Sequence, residues 1–485
     1  MSIERKAISA LKWATFAKFV VQTASWAGTL IVVRLLTPDD YGLMAKVGVV
    51  CAIAAAIAEL GLEAAIVRTA QISRDDLRKL YGLSLLFSLA MTATVAAASP
   101  LLARLFHEPR LTWPIVGASL QIIVASVALV PSAVWTRELA FRNLSKIEMV
   151  SGITSMAATL LLALFGAGVW ALVFGTLFGA VVRSSALLIY GERVRPLFSF
   201  RGVGEHLKFG LTLVANRVNY FIIVQSDVMI GSGFLSTTQI GQYAIALQLA
   251  TLPSSKVMGT VNQIVLPVVA RRQDDLPRVR AAVLKAVGLM ALIAFPVLWG
   301  ISAVAPEMVR VLLGQKWLPA VPALIILPLI VPMRMINGIL FTTSLALGNR
   351  RLDLRNAIIN IVVLPSGFYI GAHFGLIGLC LAWLIAVPIA HSFTVPAVVR
   401  FIGIRARELL AECAAPAIAG LLMYAAVSAL RVALGGLSPA PLLIALSLAG
   451  ALVYIGVMML ISQRHVRAAR DFMRRLTARQ STDAD

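Results

Sequence analysis

Apolar runs of roughly 20 residues recur along the whole chain, each divided from the next by a short polar loop. Runs of that length match the hydrocarbon core of a bilayer, where a helix rises about 1.5 Å per residue and satisfies its own backbone hydrogen bonds. They place about fourteen spans, at 11–33, 43–67, 80–103, 113–135, 149–166, 168–190, 207–230, 239–268, 283–304, 319–345, 356–372, 375–396, 408–430 and 437–462. Two neighbouring pairs are divided only by short glycine-containing turns, at Gly166–Gly168 and near Gly375. Composition excludes a water-soluble alternative. Of the 485 residues, 59% are hydrophobic and 13% charged, with a mean hydropathy of +0.89. Soluble domains carry about a quarter charged residues, so lipid is the solvent for most of this surface.

The formal net charge of +21 suggests nucleic acid until the charges are placed. They alternate loop by loop. Arg5 and Lys6 precede the first span, Arg74, Arg78 and Lys79 follow the second, and Arg137, Arg142 and Lys146 follow the fourth. Arg193, Arg195 and Arg201 follow the sixth, Arg271 to Lys285 the eighth, Arg350 to Arg355 the tenth and Arg400 to Arg407 the twelfth. Arg464 to Arg479 follow the last. The opposite side holds only Arg34, Arg104, Arg110, Arg310, Lys316 and Arg431. Excess Lys and Arg mark cytoplasmic loops, so both ends are expected in the cytoplasm. The charge then orients the protein and meets anionic lipid headgroups. No nucleic-acid partner is needed. Glu4, Arg5 and Lys6 lead straight into a long span, so no cleaved signal peptide is expected.

Two stretches resemble each other. Leu36-Thr-Pro-Asp-Asp-Tyr-Gly-Leu-Met-Ala45 and Leu235-Ser-Thr-Thr-Gln-Ile-Gly-Gln-Tyr-Ala244 each put a capping-type polar run and a glycine, Gly42 or Gly241, at the start of a span. Leu11-Lys12 and Leu207-Lys208 precede them, and Phe141-Arg142-Asn143 and Leu354-Arg355-Asn356 follow. Repeats of six spans share one orientation, a pattern suited to two lobes rocking about a cavity. The expected fold is therefore an all-α integral membrane protein of two pseudo-symmetric six-helix lobes, 1–200 and 201–400. Two extra helices at 401–463 and a basic cytoplasmic tail at 464–485 complete it.

Polar residues inside spans are costly and mark function. Lys18, Gln22, Ser25 and Thr29 form one helical stripe in the first span, and Thr212, Asn216 and Asn219 form another in the seventh, with Arg217 beside it. Lys46, Lys256 and Arg334 add further charge. These nominate a basic cavity for an anionic cargo, since guanidinium and ammonium groups suit phosphates and carboxylates. Lys18 and Lys46 have an equal alternative in snorkelling to headgroups. Lys256 follows Pro253, Ser254 and Ser255, which predicts a broken or kinked helix. Arg183 reads as an end-of-span anchor. Glu59 and Glu63, four residues apart, and Asp227 are the candidates for ion coupling; Glu59 and Glu63 also suit pairing with a basic neighbour, and Asp227 a loop edge.

Other chemistry finds no support. There is no GxxxxGK[ST] loop and no HExxH, and His107, His206, His373, His391 and His465 are scattered. Cys51, Cys380 and Cys413 lie in apolar runs without metal-ligand spacing. Neither a catalytic site, nor a metal, nor a cofactor is expected.

The segment Leu30-Ile-Val-Val-Arg-Leu-Leu-Thr-Pro-Asp-Asp-Tyr-Gly42 resembles the opening of bacterial Wzx-type and colanic-acid-exporter-like polysaccharide flippases. Arg137-Glu-Leu-Ala-Phe-Arg142, Ile147-Glu148, Gly166-Ala-Gly-Val-Trp-Ala-Leu-Val173, Ser226-Asp227-Val-Met-Ile-Gly231 and Ile240-Gly-Gln-Tyr243 extend the resemblance over nearly the whole chain. It implies alternating access in the bacterial inner membrane by a V-shaped pair of lobes. The implied cargo is an oligosaccharide on undecaprenyl diphosphate, moved outward for surface polysaccharide assembly beside polymerase and export machinery. A peptidoglycan-precursor flippase shares the expected chemistry. A drug/cation antiporter predicts an acidic cavity, and a membrane-embedded polymerase or ligase predicts a large outer loop.

Overall fold

The computed structural model describes residues 28–69, 72–138, 140–192, 194–199, 204–271 and 275–462. Side chains are described for these except at 141, 205–213, 215–217, 220, 255–271 and 350. All regular structure among the described residues is helical, and eleven of their helices are long and apolar enough to cross a membrane. Of the further spans expected from sequence, 11–33 lies largely outside the described residues. Those at 207–230 and 239–268 coincide with helices Gly204–Gly231 and Thr237–Arg271. The chain divides into two compact units, whose described residues run from 28 to 241 and from 242 to 462.

In the first unit α1 (Pro38–Ala58) starts on a capping box. The Thr37 hydroxyl accepts from Asp40 N at 3.2 Å, and the Asp40 carboxylate accepts from Thr37 N at 2.9 Å. Pro38 sits at the first helical position, where a missing N–H costs nothing. The sequence predicts one continuous span over 43–67, but the helix breaks. It ends at Ala58, turns through Leu60 (φ 49°) and Gly61 (φ 61°), and restarts as α2 (Leu62–Arg68). Glycine takes the left-handed conformation readily, and the reversal lets Leu60 N donate to the Ile57 carbonyl and Leu62 N to that of Glu59. An apolar run looks the same whether or not such a turn interrupts it.

Then follow α3 (Arg74–Leu105), capped by Ser73, α4 (Thr112–Arg137), α5 (Phe141–Leu164), α6 (Val169–Tyr190) and α7 (Gly204–Gly231). Helix α7 packs on α1 and α2, while α4 packs on α1, α2, α3 and α6. Four apolar clusters among the described residues hold the unit, and two of them lie along the broken helix. One gathers Leu43, Val47, Val95, Phe106, Leu111, Ile115 and Val173, and the other Leu60, Leu62, Ile66, Leu80, Tyr81 and Val130 around the break. The last helix to start here is α8 (Thr237–Arg271), which continues into the second unit. It runs on through Pro253, so of the break or kink predicted at Pro253–Ser255 the break does not occur.

The second unit holds α9 (Leu276–Ala303), α10 (Val321–Ala346), α11 (Arg350–Ala372), α12 (Gly375–Ile402), α13 (Ala406–Ala433) and α14 (Pro439–Ile461). Helix α10 packs on α9 and α12, α11 pairs with α12, and α13 bridges α9 and α14. Close approach of α11 and α12 rests on Gly371 and Gly378, each against the other's carbonyl oxygen. Arg431 on α13 pairs with buried Glu307 at 2.9 Å. The outer face of α14 exposes Ile444, Leu448, Leu452 and Leu460. Water would penalise that face, and lipid accepts it.

Candidate functional site

Among the described residues, buried and part-buried polar side chains gather in three places, two of them at opposite ends of the broken helix. At the start of α1, backbones meet. A Cβ built at Gly42 would lie 1.8 Å from the Thr237 carbonyl oxygen, and one at Gly241 would lie 1.7 Å from that of Pro38. Pro38 and Thr237 are equivalent positions in the two similar stretches, as are Gly42 and Gly241. The contact is therefore reciprocal, as at a twofold axis. Around it a network closes. Arg110 donates to Asp39 at 2.7 and 3.2 Å and to Glu108 at 2.8 and 3.0 Å. Thr237 Oγ1 donates to Glu108 Oε2 at 2.6 Å and accepts from Lys46 Nζ at 3.1 Å. Hydrogen bonds from Arg110, helped by Thr237 and opposed by burial, hold the Glu108 carboxyl down to about 2.

At the far end of α1 a cavity of about 420 Å³ opens within the same unit. One wall is α1, where Gly48, Ala52, Ala55 and Ala58 alternate with Met44, Val47 and Cys51. Glu59 and Glu63 stand at the break, Ser88 comes from α3, Gln121, Ser126 and Ser132 from α4, and Arg183 from α6. The Arg183 guanidinium donates to Ser132 Oγ at 3.3 Å. Arg183 is thus not the end-of-span anchor that its place in the sequence suggests: it lies within α6 and lines the cavity. A second cavity, of about 530 Å³, is lined by Val49, Ile53, Met91, Leu105, Phe106, Met229 and other apolar groups, and offers nothing to a polar ligand.

In the second unit Arg334 on α10 lies over the Trp383 ring of α12, its Cζ 4.1 Å from the centroid. Trp383 Nε1 donates to the Tyr243 hydroxyl at 2.6 Å, which fixes the ring that supports the cation. One turn further, the Asn337 amide and His391 Nε2 are 2.9 Å apart. His391 and Thr394 are buried, and His391 Nδ1 and Thr394 Oγ1 find no hydrogen-bond partner among the described residues. The arrangement holds a guanidinium within a membrane span with its charge supported by an aromatic face.

The residues nominated from sequence divide accordingly. Lys18, Gln22 and Ser25 lie outside the described residues. Asn216 and Arg217 lie on α7 and Lys256 on α8, with side chains outside those described. Asn219 on α7 has a buried amide oxygen that accepts no hydrogen bond among the described residues. Lys46 is 2% exposed and enclosed by the network at the start of α1, so it does not snorkel. Asp227 lies within α7, fully buried, and is not a loop-edge residue; its carboxylate accepts from Val228 N at 2.7 Å. Glu59 and Glu63 share the cavity.

Glu108, Arg110 and Thr237 were not nominated as site residues because they lie between α3 and α4 and at the first position of α8, where they look like ordinary loop polarity. Gln121 and Ser132 were not nominated either, although their spacing puts both on one face of α4 and offered a signal. Trp383, Tyr243 and His391 gave none, since each reads as an interior aromatic.

Residues 31–322, well over half of the chain, match the family described as "Polysaccharide biosynthesis protein". The chain belongs to that family. With eleven helices among the described residues long and apolar enough to cross a membrane, it is a multi-pass membrane protein of that polysaccharide biosynthesis family. It is 24% identical to the lipopolysaccharide biosynthesis protein WzxC of Escherichia coli, over 79% of each chain. It is 25% identical to a membrane protein of the cps region of Klebsiella pneumoniae, over 79% of this chain and 80% of that one. The succinoglycan biosynthesis transport protein ExoT of Rhizobium meliloti matches at 25% identity over 65% of this chain and 64% of its own. Among solved structures, the lipid II flippase MurJ in an inward closed conformation aligns with a TM-score of 0.76 at 14% identity. It covers 92% of this chain and 99% of its own. An inward-facing multidrug MATE transporter aligns at 0.64 with 16% identity, covering 79% and 94%. The family member therefore has the fold that MurJ and the MATE transporters share.

Proposed function

We propose that this protein moves an oligosaccharide linked to undecaprenyl diphosphate from the cytoplasmic to the outer leaflet of a bacterial inner membrane. The observation that carries the reading is a fold shared with a lipid II flippase, in a chain of the polysaccharide biosynthesis family. About fourteen spans with both ends in the cytoplasm put the start of α1 at the outer surface. Two six-helix lobes rock about the path, and the two final helices stand outside them. Membrane lipid surrounds the protein, and the released headgroup passes to a polysaccharide polymerase and export machinery.

The diphosphate is anionic and the intramembrane cations are suited to it. Arg334 is the cation whose setting supports this role best, since the Trp383 face holds it in place while supporting its charge. Lys18, Arg217 and Lys256, with the polar groups of Gln22, Ser25, Asn216 and Asn219, complete the proposed path. The polyprenyl tail stays in lipid while the headgroup crosses.

The test is leaflet translocation in proteoliposomes with undecaprenyl-diphosphate oligosaccharide, comparing wild type with Arg334→Ala and Arg217→Ala. Transport by wild type and its loss in both variants is expected. Lipid II in place of the oligosaccharide lipid tests a peptidoglycan-precursor flippase, which the MurJ likeness favours. Preferential transport of lipid II would replace the oligosaccharide lipid as the cargo.

A further inference from the structure

We infer that the 420 Å³ cavity of the first unit is the seat of a sugar ring, so that the headgroup is recognised by its hydroxyls as well as by its diphosphate. This rests on the flippase reading and adds a specificity site to it. The lining mixes acceptors and donors. Glu59 and Glu63 present carboxylate oxygens, which accept hydrogen bonds from hydroxyls. Arg183 presents donors in a fixed fork, and its contact with Ser132 Oγ uses one nitrogen. Gln121 supplies both a donor and an acceptor and is exposed to the open space. A polyhydroxylated ring, whose every hydroxyl both donates and accepts, is the ligand that such a mixed set satisfies. A hydrocarbon chain offers these groups no hydrogen bond, and an inorganic anion would meet the two carboxylates.

The shape agrees. Ligand sites commonly enclose about 300–1,000 Å³ with apolar walls and a few convergent polar groups. Here the α1 wall sets Gly48, Ala52, Ala55 and Ala58 among the apolar Met44, Val47 and Cys51. The break after Ala58 then turns Glu59 and Glu63 to the end of that wall. The broken helix places the acceptors. Glu59 and Glu63 act there as hydroxyl acceptors and not as coupling groups.

The experiment uses the full chain in lipid nanodiscs and proteoliposomes with two probes, undecaprenyl-diphosphate oligosaccharide and undecaprenyl diphosphate without sugar. The variants are Ala55→Phe, which fills the cavity, and Gln121→Ala and Glu63→Gln, which keep it open. Each is expected to weaken binding of the glycosylated lipid about tenfold and to slow its translocation, leaving binding of the sugarless lipid unchanged. Equal losses for both probes would overturn the inference and return Glu63 to coupling or to folding. Unchanged binding and transport of the glycosylated lipid in all three variants would overturn it too, while leaving the flippase reading intact. Failure of wild type to move the glycosylated lipid at all would instead overturn the flippase reading and this inference with it.

Discussion

The two ends of one broken helix use small residues in opposite ways. At the start of α1, Gly42 lets the backbone of Thr237 press against it, and no side chain would fit. Further along the same helix, Gly48 has nothing within 4 Å of where a Cβ would stand, and it borders the cavity. At the first end the charges are mutually satisfied, Arg110 between Asp39 and Glu108, and Lys46 on Thr237. At the second, Glu59, Glu63 and Gln121 line a cavity together with Arg183, which donates to Ser132. The same residue type closes one end and opens the other, and only the neighbours differ. A glycine in a membrane helix thus says that something is near or that nothing should be, and sequence cannot say which.

The contrast is most exposed to a test at Gly241. Gly241→Ala puts a methyl 1.7 Å from the Pro38 carbonyl oxygen and should cost about 3 kcal/mol or more, read as a large fall in thermal midpoint of the detergent-purified chain. A midpoint close to wild type would mean that the reciprocal contact is not there in solution.

Arg110→Ala should cost less, about 1–2 kcal/mol, because Arg110 is more than half exposed while Glu108 is largely covered. Its signature is the pH dependence. Glu108 has a depressed folded value, so its stabilising contribution is present above its ordinary value near 4.5 and is lost as pH falls towards about 2. Wild type and Arg110→Ala should therefore differ most at neutral pH and converge in acid. A gap that stays constant from about pH 7 to about pH 3 would show that Glu108 is not the partner through which Arg110 stabilises the fold.

At the other end of the helix the effects shrink. Gly61→Ala places a side chain at φ 61° and should destabilise by about 1 kcal/mol, closing the cavity if the helix straightens instead. Gly48→Ala meets open space and relieves a helix-interior glycine, so the midpoint should stay or rise slightly, by the equivalent of about 0.5 kcal/mol. A marked fall in Gly48→Ala would erase the distinction between the two ends.

The all-α membrane fold was legible in the sequence, because hydrocarbon leaves a chain few other options and the apolar runs record it. The likeness of Leu36–Ala45 to Leu235–Ala244 could be read from the sequence, but not that the two stretches touch at Gly42 and Gly241. Glu59, Glu63 and Arg334 stood out because charge inside a span is costly wherever it points. Their settings were not legible. The break at Leu60–Gly61 hides in a run as apolar as its flanks. Arg183 looked like an anchor until Ser132 of another helix appeared beside it. Lys46 looked equally like a cavity group and a snorkelling one. It is neither exposed nor turned to the 420 Å³ cavity, because Phe106, Glu108 and Thr237 come from distant parts of the chain to enclose it.

What the chain determined alone is its solvent: the length and spacing of apolar runs decide that helices form and that lipid covers them. What only the tertiary structure decided is which polar groups face each other. Hydrophobic length is a local property, written in consecutive residues. The partner of a buried charge is set by packing between helices distant in sequence, and no local pattern records it.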